Sequence, residues 1–182
     1  MNELLNIQLI RCRRRSVGIR ITDEGNIVVR APLRMPEREI RQVLESKRSW
    51  IEKTLANVRS RECLPKFTEE ELKALAKQAK KELPPRVAAR ARQVGVTYGR
   101  IAVRKQKTLW GSCSSKGNLN FNCLLMLCPE EVVDYVIVHE LCHRKELNHS
   151  ARFWAEVEHV LPDYKTPLRW LKKEGQDIIA RI

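Results

Sequence analysis

No stretch of this 182-residue chain approaches the roughly 18 consecutive apolar residues that mark a membrane-spanning helix. The first residues, Met1-Asn2-Glu3-Leu4-Leu5, lack the basic start and long apolar core of a secretion signal. A soluble, cytoplasmic protein without a membrane partner is the expectation. The six cysteines, Cys12, Cys63, Cys113, Cys123, Cys128 and Cys142, show no C-x-x-C spacing, and a chain of this length can build a core without a disulfide framework, so they read as reduced thiols. Aromatic residues make up only 5% of the chain. There is no internal repeat and no low-complexity tract. The segment from Gly111 to Gly117 is not a phosphate-binding loop of the Walker type, because five residues separate its glycines and Asn118 stands where a lysine is required.

What is abundant is positive charge, and it is unevenly placed. The net charge is +13; residues 1–110 hold 26 Lys and Arg against 12 Asp and Glu, whereas residues 111–182 hold 9 against 10. Mixtures of Lys, Arg and Glu on helices usually serve as a solvated surface. The cluster Arg11, Arg13, Arg14 and Arg15 is harder to explain that way, since like charges so close repel unless an anion relieves them. These four are the candidate contacts for nucleic acid or another polyanion.

Histidine is scarce, with four residues in all, yet three of them fall within eleven positions: His139, His143 and His149. The first two sit in His139-Glu140-Leu141-Cys142-His143, at the end of the apolar run Val132-Val133-Asp134-Tyr135-Val136-Ile137-Val138, which reads as a helix buried nearly all round. On a helix, positions i and i+4 share a face with Cβ atoms about 5–6 Å apart, so both imidazoles can reach one cation at roughly 2.0–2.1 Å. Glu140 projects about a quarter turn away, which suits a general base rather than a ligand. Zinc fits these borderline-soft nitrogens best, and three protein ligands would leave a fourth position open for water. Such a metal lowers the pKa of its water from about 15.7 to about 7, and Glu140 would accept the proton as that water attacks a polarised carbonyl or phosphoryl group. Satisfied core histidines are the plain alternative. A buried helix, a position near its C-terminal end and a further histidine in the next segment all count against it.

Further residues extend the pattern. The run Trp110-Gly111-Ser112-Cys113-Ser114-Ser115-Lys116-Gly117-Asn118, then Asn120-Phe121-Asn122, Tyr135-Val136, the His139–His143 motif, Asn148-His149-Ser150 and Phe153-Trp154 resemble the YgjP-like family of small zinc metallopeptidase-like proteins and, more distantly, SprT-like proteases. The resemblance is specific over residues Lys107–Leu171. It implies a compact zincin fold, one Zn2+ per chain held by His139, His143 and His149, and Glu140 as the catalytic residue. In related zincins a glutamate from the following helix supplies the third ligand, so Glu156 competes with His149, which the resemblance favours.

Along the chain, residues 6–32 read as strands, with Ile19/Ile21 and Ile27/Val29 flanking the turn signal Asp23-Glu24-Gly25-Asn26 and Leu9 in a preceding strand. Pro36 opens a single helix carrying Ile40, Val43, Leu44, Ile51, Leu55 and Val58, with Trp50 expected in the core. Thr68 and Glu71 form a capping box, and Pro84-Pro85 should kink or split the helix that follows. Ile101–Arg104 is a strand, Trp110–Lys116 a loop. From residue 118 to 123 the period is two, with Asn118, Asn120 and Asn122 on one face and Leu119, Phe121 and Cys123 on the other. That strand is the candidate rim of a substrate cleft, its asparagines candidate substrate contacts, with a solvated polar face as the alternative. Ser112, Cys113 and Ser114 would each need a neighbouring base to act as nucleophiles, and the remaining histidine, His159, reads as a surface or structural residue. Ser150 caps a helix through Leu161, and a last helix starts at Thr166-Pro167.

The fold class expected is α+β: a zincin-like core, a small sheet plus the active-site helix, over residues 61–182, with a basic β-hairpin and helix lobe over residues 1–60, or one continuous domain. The leading function is a zinc-dependent metallopeptidase acting on peptide. A nucleotide (nucleoside triphosphate) pyrophosphatase using the same metal is the alternative; it would need cations beside the metal, for which Arg144, Lys145 and Arg152 are the nearby choices. A DNA-associated SprT-like protease, or a zinc-stabilised nucleic-acid-binding module, comes third.

Overall fold

The computed structural model describes residues 7–22, 24–62 and 64–182. The chain divides into two compact units, Met1–Leu64 and Pro65–Ile182. Met1–Asn6, Asp23 of the hairpin turn and Cys63 lie outside the described residues.

In the first unit β1 (Ile7–Cys12), β2 (Gly18–Ile21) and β3 (Ile27–Pro32) form a sheet of order β1-β3-β2, with β3 parallel to β1 and antiparallel to β2. The expected hairpin is there: Ile19 faces Val29 and Ile21 faces Ile27, while Gly25 donates its N–H to the Thr22 carbonyl at 3.0 Å. Alternation puts Ile27, Val29 and Ala31 on one face, where they are buried against Ile40, Ile51 and Leu55. These last three come from two helices instead of the one expected, α1 (Glu37–Ser46) and α2 (Arg48–Glu62). The break is at Lys47, whose backbone leaves the helical region at φ −106°, ψ 7°. It allows two short helices to present Ile40 and the Ile51/Leu55 pair to the same small sheet. Trp50, expected in the core, is instead 47% exposed, because its neighbour Ile51 takes the inward position.

In the second unit the capping box forms as read: Thr68 Oγ1 accepts from the Glu71 N–H and Glu71 Oε2 accepts from the Thr68 N–H. The helix it starts, α3 (Glu69–Val94), does not split at Pro84-Pro85 but continues to a left-handed cap at Gly95. The two missing donors are those that would have bonded the carbonyls of Lys80 and Lys81, both exposed residues, where water can replace them. The inner side, Ala79, Leu83, Val87, Ala91 and Val94, is buried and packs with α4 (Glu130–Cys142). Arg86 and Arg90 clamp Asp134, the one polar residue of the apolar run in α4, at 2.9 Å and 2.5 Å.

The second sheet has order β4-β6-β5, from β4 (Ile101–Arg104), β5 (Gly111–Cys113) and β6 (Leu119–Asn122). Two expectations are corrected. The stretch read as a loop contains β5, which is antiparallel to β6, and β6, the candidate rim, is the central strand, paired with β4 on its other side. Its apolar face belongs to the core: Leu119 and Phe121 are fully buried in one cluster with Val133, Ile137 and Leu141, and α4 packs on β5. Cys123 opens a 3-10 turn, Cys123–Leu127, started by the Asn122 side chain. Ser150 then caps α5 (Ala151–Val160), accepting from the Phe153 N–H, and α6 (Lys165–Ile179) buries Pro167, Leu171, Gly175 and Ile179. The chain is thus α+β. Among the described residues no helix is long and apolar enough to cross a membrane, and Cys12, Cys113, Cys123, Cys128 and Cys142 are free thiols.

Candidate metal centre

Helix α4 is apolar on nearly every face, with Val132, Val133, Tyr135, Val136, Ile137, Val138, Leu141 and Cys142 all buried; each large apolar side chain so placed contributes about 1.5–3 kcal/mol of transfer free energy. A helix held that firmly is a rigid base for the two imidazoles at its C-terminal end. The chain leaves it at His143, turns through Arg144–Glu146, and returns at Asn148, whose side chain accepts from the Ser150 N–H at 3.1 Å as a turn residue does. This brings His149 back over the helix, with its Nε2 3.0 Å from Nε2 of His139. One ligand atom from each of His139, His143 and His149 lies within 4.8 Å of the others.

The other ring nitrogens orient two of the rings, and for His143 the tautomer is fixed. His143 Nδ1 is 3.1 Å from the Glu146 carbonyl; a carbonyl only accepts, so Nδ1 carries the proton and Nε2 is left bare for a cation. His139 Nδ1 faces the Tyr135 hydroxyl at 3.4 Å, one helical turn earlier. Phe153, from the first turn of α5, packs against all three rings, stacked on His143 at 4.5 Å between centroids and edge-on to His139 and His149 at 4.8 Å. Trp154 stacks on His149 at 5.8 Å. Burial, and then the neighbouring His143 and His149, push His139 down to about 3, and burial lowers His143 as well. Neutral imidazoles are the form that ligates a metal. The donor set therefore fits zinc: three converging imidazole nitrogens, of which His139 and His149 now share a proton that a cation would displace, and, among the described residues, no fourth ligand in the cluster. The competitor Glu156 is outside it, engaged by Lys145 at 2.6 Å.

Glu140 is 6% exposed, and burial pushes its carboxyl up to about 8. Its side chain lies on Gly111 of β5 so closely that a Cβ there would fall 2.7 Å from Glu140 Cγ and 2.8 Å from Oε1. The glycine is what lets the strand and the carboxylate approach. Along β5 the residues bonded to β6 are the even ones: Trp110 accepts from the Asn122 N–H and Ser114 donates to the Asn118 carbonyl. Antiparallel alternation then turns the backbone groups of Gly111 and Cys113 away from β6, toward the open edge of the sheet.

The other residues singled out in the sequence have different places. Asn122 is fully buried and its amide donates to the Gln106 and Leu109 carbonyls, Asn120 donates to Ser112 Oγ, and Asn118 Oδ1 accepts from the Arg100 N–H. All three brace loops and strands. Arg144 donates to the Thr97 and Ser115 carbonyls, while Arg152 and His159 are exposed on α5. Burial, and then Glu140, raise the Cys113 thiol, which disfavours it as a nucleophile. The arginine cluster is dispersed: Arg11 donates to the Pro32 and Met35 carbonyls, Arg14 is half-buried, and of the four only Arg13 and Arg15 are exposed. Sequence reasoning missed the parts played by Gly111, Tyr135 and Phe153. The spacing of Tyr135 four residues before His139 was the one available signal.

Among solved structures, the chain is similar to the metallopeptidase zymogen abylysin of Pyrococcus abyssi (26% identity, TM-score 0.46, covering 50% of this chain and 94% of that one) and to the metallopeptidase zymogen jannalysin of Methanocaldococcus jannaschii (21%, 0.42, 51% and 97%). No curated protein matches it. The family described as YgjP-like, metallopeptidase domain, matches over residues 15–75 and 65–174. With most of its length matched, including every residue of the histidine site, the chain belongs to the YgjP-like metallopeptidase family.

Proposed function

We propose that the protein is a zinc peptidase that hydrolyses peptide bonds with Glu140 as general base beside a His139/His143/His149 centre. The observation that carries this reading is the convergence of three imidazoles with a buried carboxylate one residue along the same helix, packed on the face of edge strand β5 at Gly111. Bound zinc would supply Lewis acidity, polarising the scissile carbonyl and acidifying water. The rest is done by the chain. The Glu146 carbonyl holds His143 in the tautomer that leaves Nε2 free to ligate, and the Tyr135 hydroxyl, placed to accept from His139 Nδ1, orients the second ring. Phe153 packs under all three rings and Trp154 stacks on His149, which stays open to solvent on its other side. An extended peptide can add to β5 through the outward backbone groups of Gly111 and Cys113, which carries it past Glu140. The Glu140 carboxylate takes a proton from attacking water and returns it to the leaving amine.

Peptide is favoured over a nucleotide pyrophosphate because two of the three candidate charge-stabilising cations are engaged elsewhere, Arg144 by the Thr97 and Ser115 carbonyls and Lys145 by Glu156, leaving the exposed Arg152 of α5. A purely structural zinc site would be closed by a fourth protein ligand, and the cluster has three. The test is to present zinc-loaded protein with unfolded polypeptides and nucleoside triphosphates side by side, together with Glu140→Gln. Peptide cleavage that disappears in the variant while zinc stays stoichiometric is expected, with a rate loss of at least about 10²–10⁴-fold. Pyrophosphate release without proteolysis would overturn the reading.

A further inference from the structure

The sheet of the first unit has two faces, and α1 and α2 cover one of them. Residues on the other face follow from the pairing: Ile10, Arg30 and Gly18 lie in one row, Gln8, Val28 and Arg20 in the next. Arg20 and Arg30 are exposed. Being diagonal neighbours on adjacent strands, their Cα atoms are roughly 7–8 Å apart. The guanidinium of Arg14 lies on Gly18 of the same face, within 2.7 Å of where a Cβ would stand, and its Nε is buried without a hydrogen-bond partner. Exposed Arg13 and Arg15 flank it in the turn before β2. The ion pairs of this unit among the described residues, Arg41–Glu37, Arg48–Glu45 and Arg48–Glu52, all lie on the helices. Among the described residues Glu24 is a nearby acid; its carboxyl is lowered by the Thr22 hydroxyl first, then by its own backbone N–H, and least by the charge of Arg20.

The geometry points to this open sheet face as a binding surface for the phosphodiester backbone of a nucleic acid, with Arg14, Arg20 and Arg30 as its centre. Like charges set out on neighbouring strands repel, and an anion with several charges in a row relieves all of them together. Every cation of the face is arginine, whose planar fork matches phosphate oxygens. The face carries no aromatic side chain on which a base could stack, so it reads backbone charge and not bases, and it suits a duplex better than a single strand. This site differs from the Arg11–Arg15 cluster suggested by the sequence: Arg11 is turned away to cap β3, and Arg20 and Arg30 enter because the sheet register brings them beside Arg14.

The experiment is fluorescence anisotropy of the full chain with labelled duplex and single-stranded DNA and RNA of equal length, across a salt series. The variants are R20S/R30S, the charge-keeping R20K/R30K, and K77S/K81S, which removes the same charge from exposed positions of α3. Duplex binding is expected to weaken with salt, and R20S/R30S should reduce the log–log slope by about 1.8, at about 0.9 for each phosphate no longer neutralised. R20K/R30K should keep the slope and K77S/K81S should leave it unchanged. Equal effects of R20S/R30S and K77S/K81S would reduce the binding to net charge and overturn the proposal. So would an absence of duplex binding at low salt, or competition by polyglutamate as effective as competition by unlabelled duplex.

Discussion

Burial raises the Glu140 carboxyl from an ordinary 4.5 to about 8 in the metal-free chain, and holding that proton has consequences for stability. A pKa displaced by one pH unit corresponds to about 1.36 kcal/mol. Because the folded state holds this proton more tightly than the unfolded state, the stabilisation is fully present below pH 4.5 and is lost as pH rises to about 8, about 5 kcal/mol in all. His139, lowered from 6.5 to about 3, acts with the opposite sign: its contribution is present above pH 6.5 and is lost as pH falls. Above pH 6.5, therefore, Glu140 acts alone, and the loss from there to pH 8 is about 2 kcal/mol. Urea denaturation of the metal-free protein in chelator at half-unit steps from pH 6.5 to 8 reads it directly. The wild type should lose that amount, and Glu140→Gln, which never ionises, should stay flat and be several kcal/mol more stable at pH 8. A flat wild-type profile, or an equal slope in the variant, would show that the carboxyl is not held neutral by burial.

Three further outcomes follow from the same site. His149→Ala should abolish stoichiometric zinc binding while Glu156→Ala keeps it, as read by metal analysis after dialysis; the reverse would make Glu156 the third ligand. Gly111→Ala should retain zinc but lower kcat/KM at least about tenfold, since its Cβ would press on the Glu140 side chain and a small misplacement of a catalytic group is costly; unchanged turnover would remove Glu140 from the contact described. Tyr135→Phe should weaken zinc about 10–100-fold by releasing His139 Nδ1, measured by competition with a chromogenic chelator, and unaltered affinity would leave the tyrosine with packing alone.

What could be read from the sequence was what strong local rules decide. The apolar run before His139 could only be a buried helix, the Thr68/Glu71 pair could only start one, and the histidine spacing implied a shared face. The errors have physical sources. Strand β5 is three residues, Gly111–Cys113, too short to show a period, and it became a strand because β6 offers it a partner. That same pairing moved β6 from rim to centre, so the polar alternation of Asn118, Asn120 and Asn122 reflects bonds to neighbouring loops and strands and not an exposed face. Pro84-Pro85 stayed within α3 because tertiary packing of Leu83 and Val87 outweighs two absent donors on a wet side. Trp50 could not be placed from periodicity, since the helix break at Lys47 resets it.

Arg144 joins parts of the molecule that are otherwise separate in sequence. It follows His143 directly, and its guanidinium reaches Thr97 ahead of β4 and Ser115 in the turn between β5 and β6, resting on Gly117. Gly117 has φ +80°, and a Cβ there would stand 2.8 Å from the guanidinium carbon, so the turn accepts neither a side chain at that position nor a change of length without pulling on the residue beside His143. Mechanically the arginine is a tie-rod: strain placed on the turn between β5 and β6 is carried to the C-terminal end of α4, where His143 lies. A lineage that lengthens this hairpin would therefore shift the end of α4, and the candidate ligand His143 with it, in the same step.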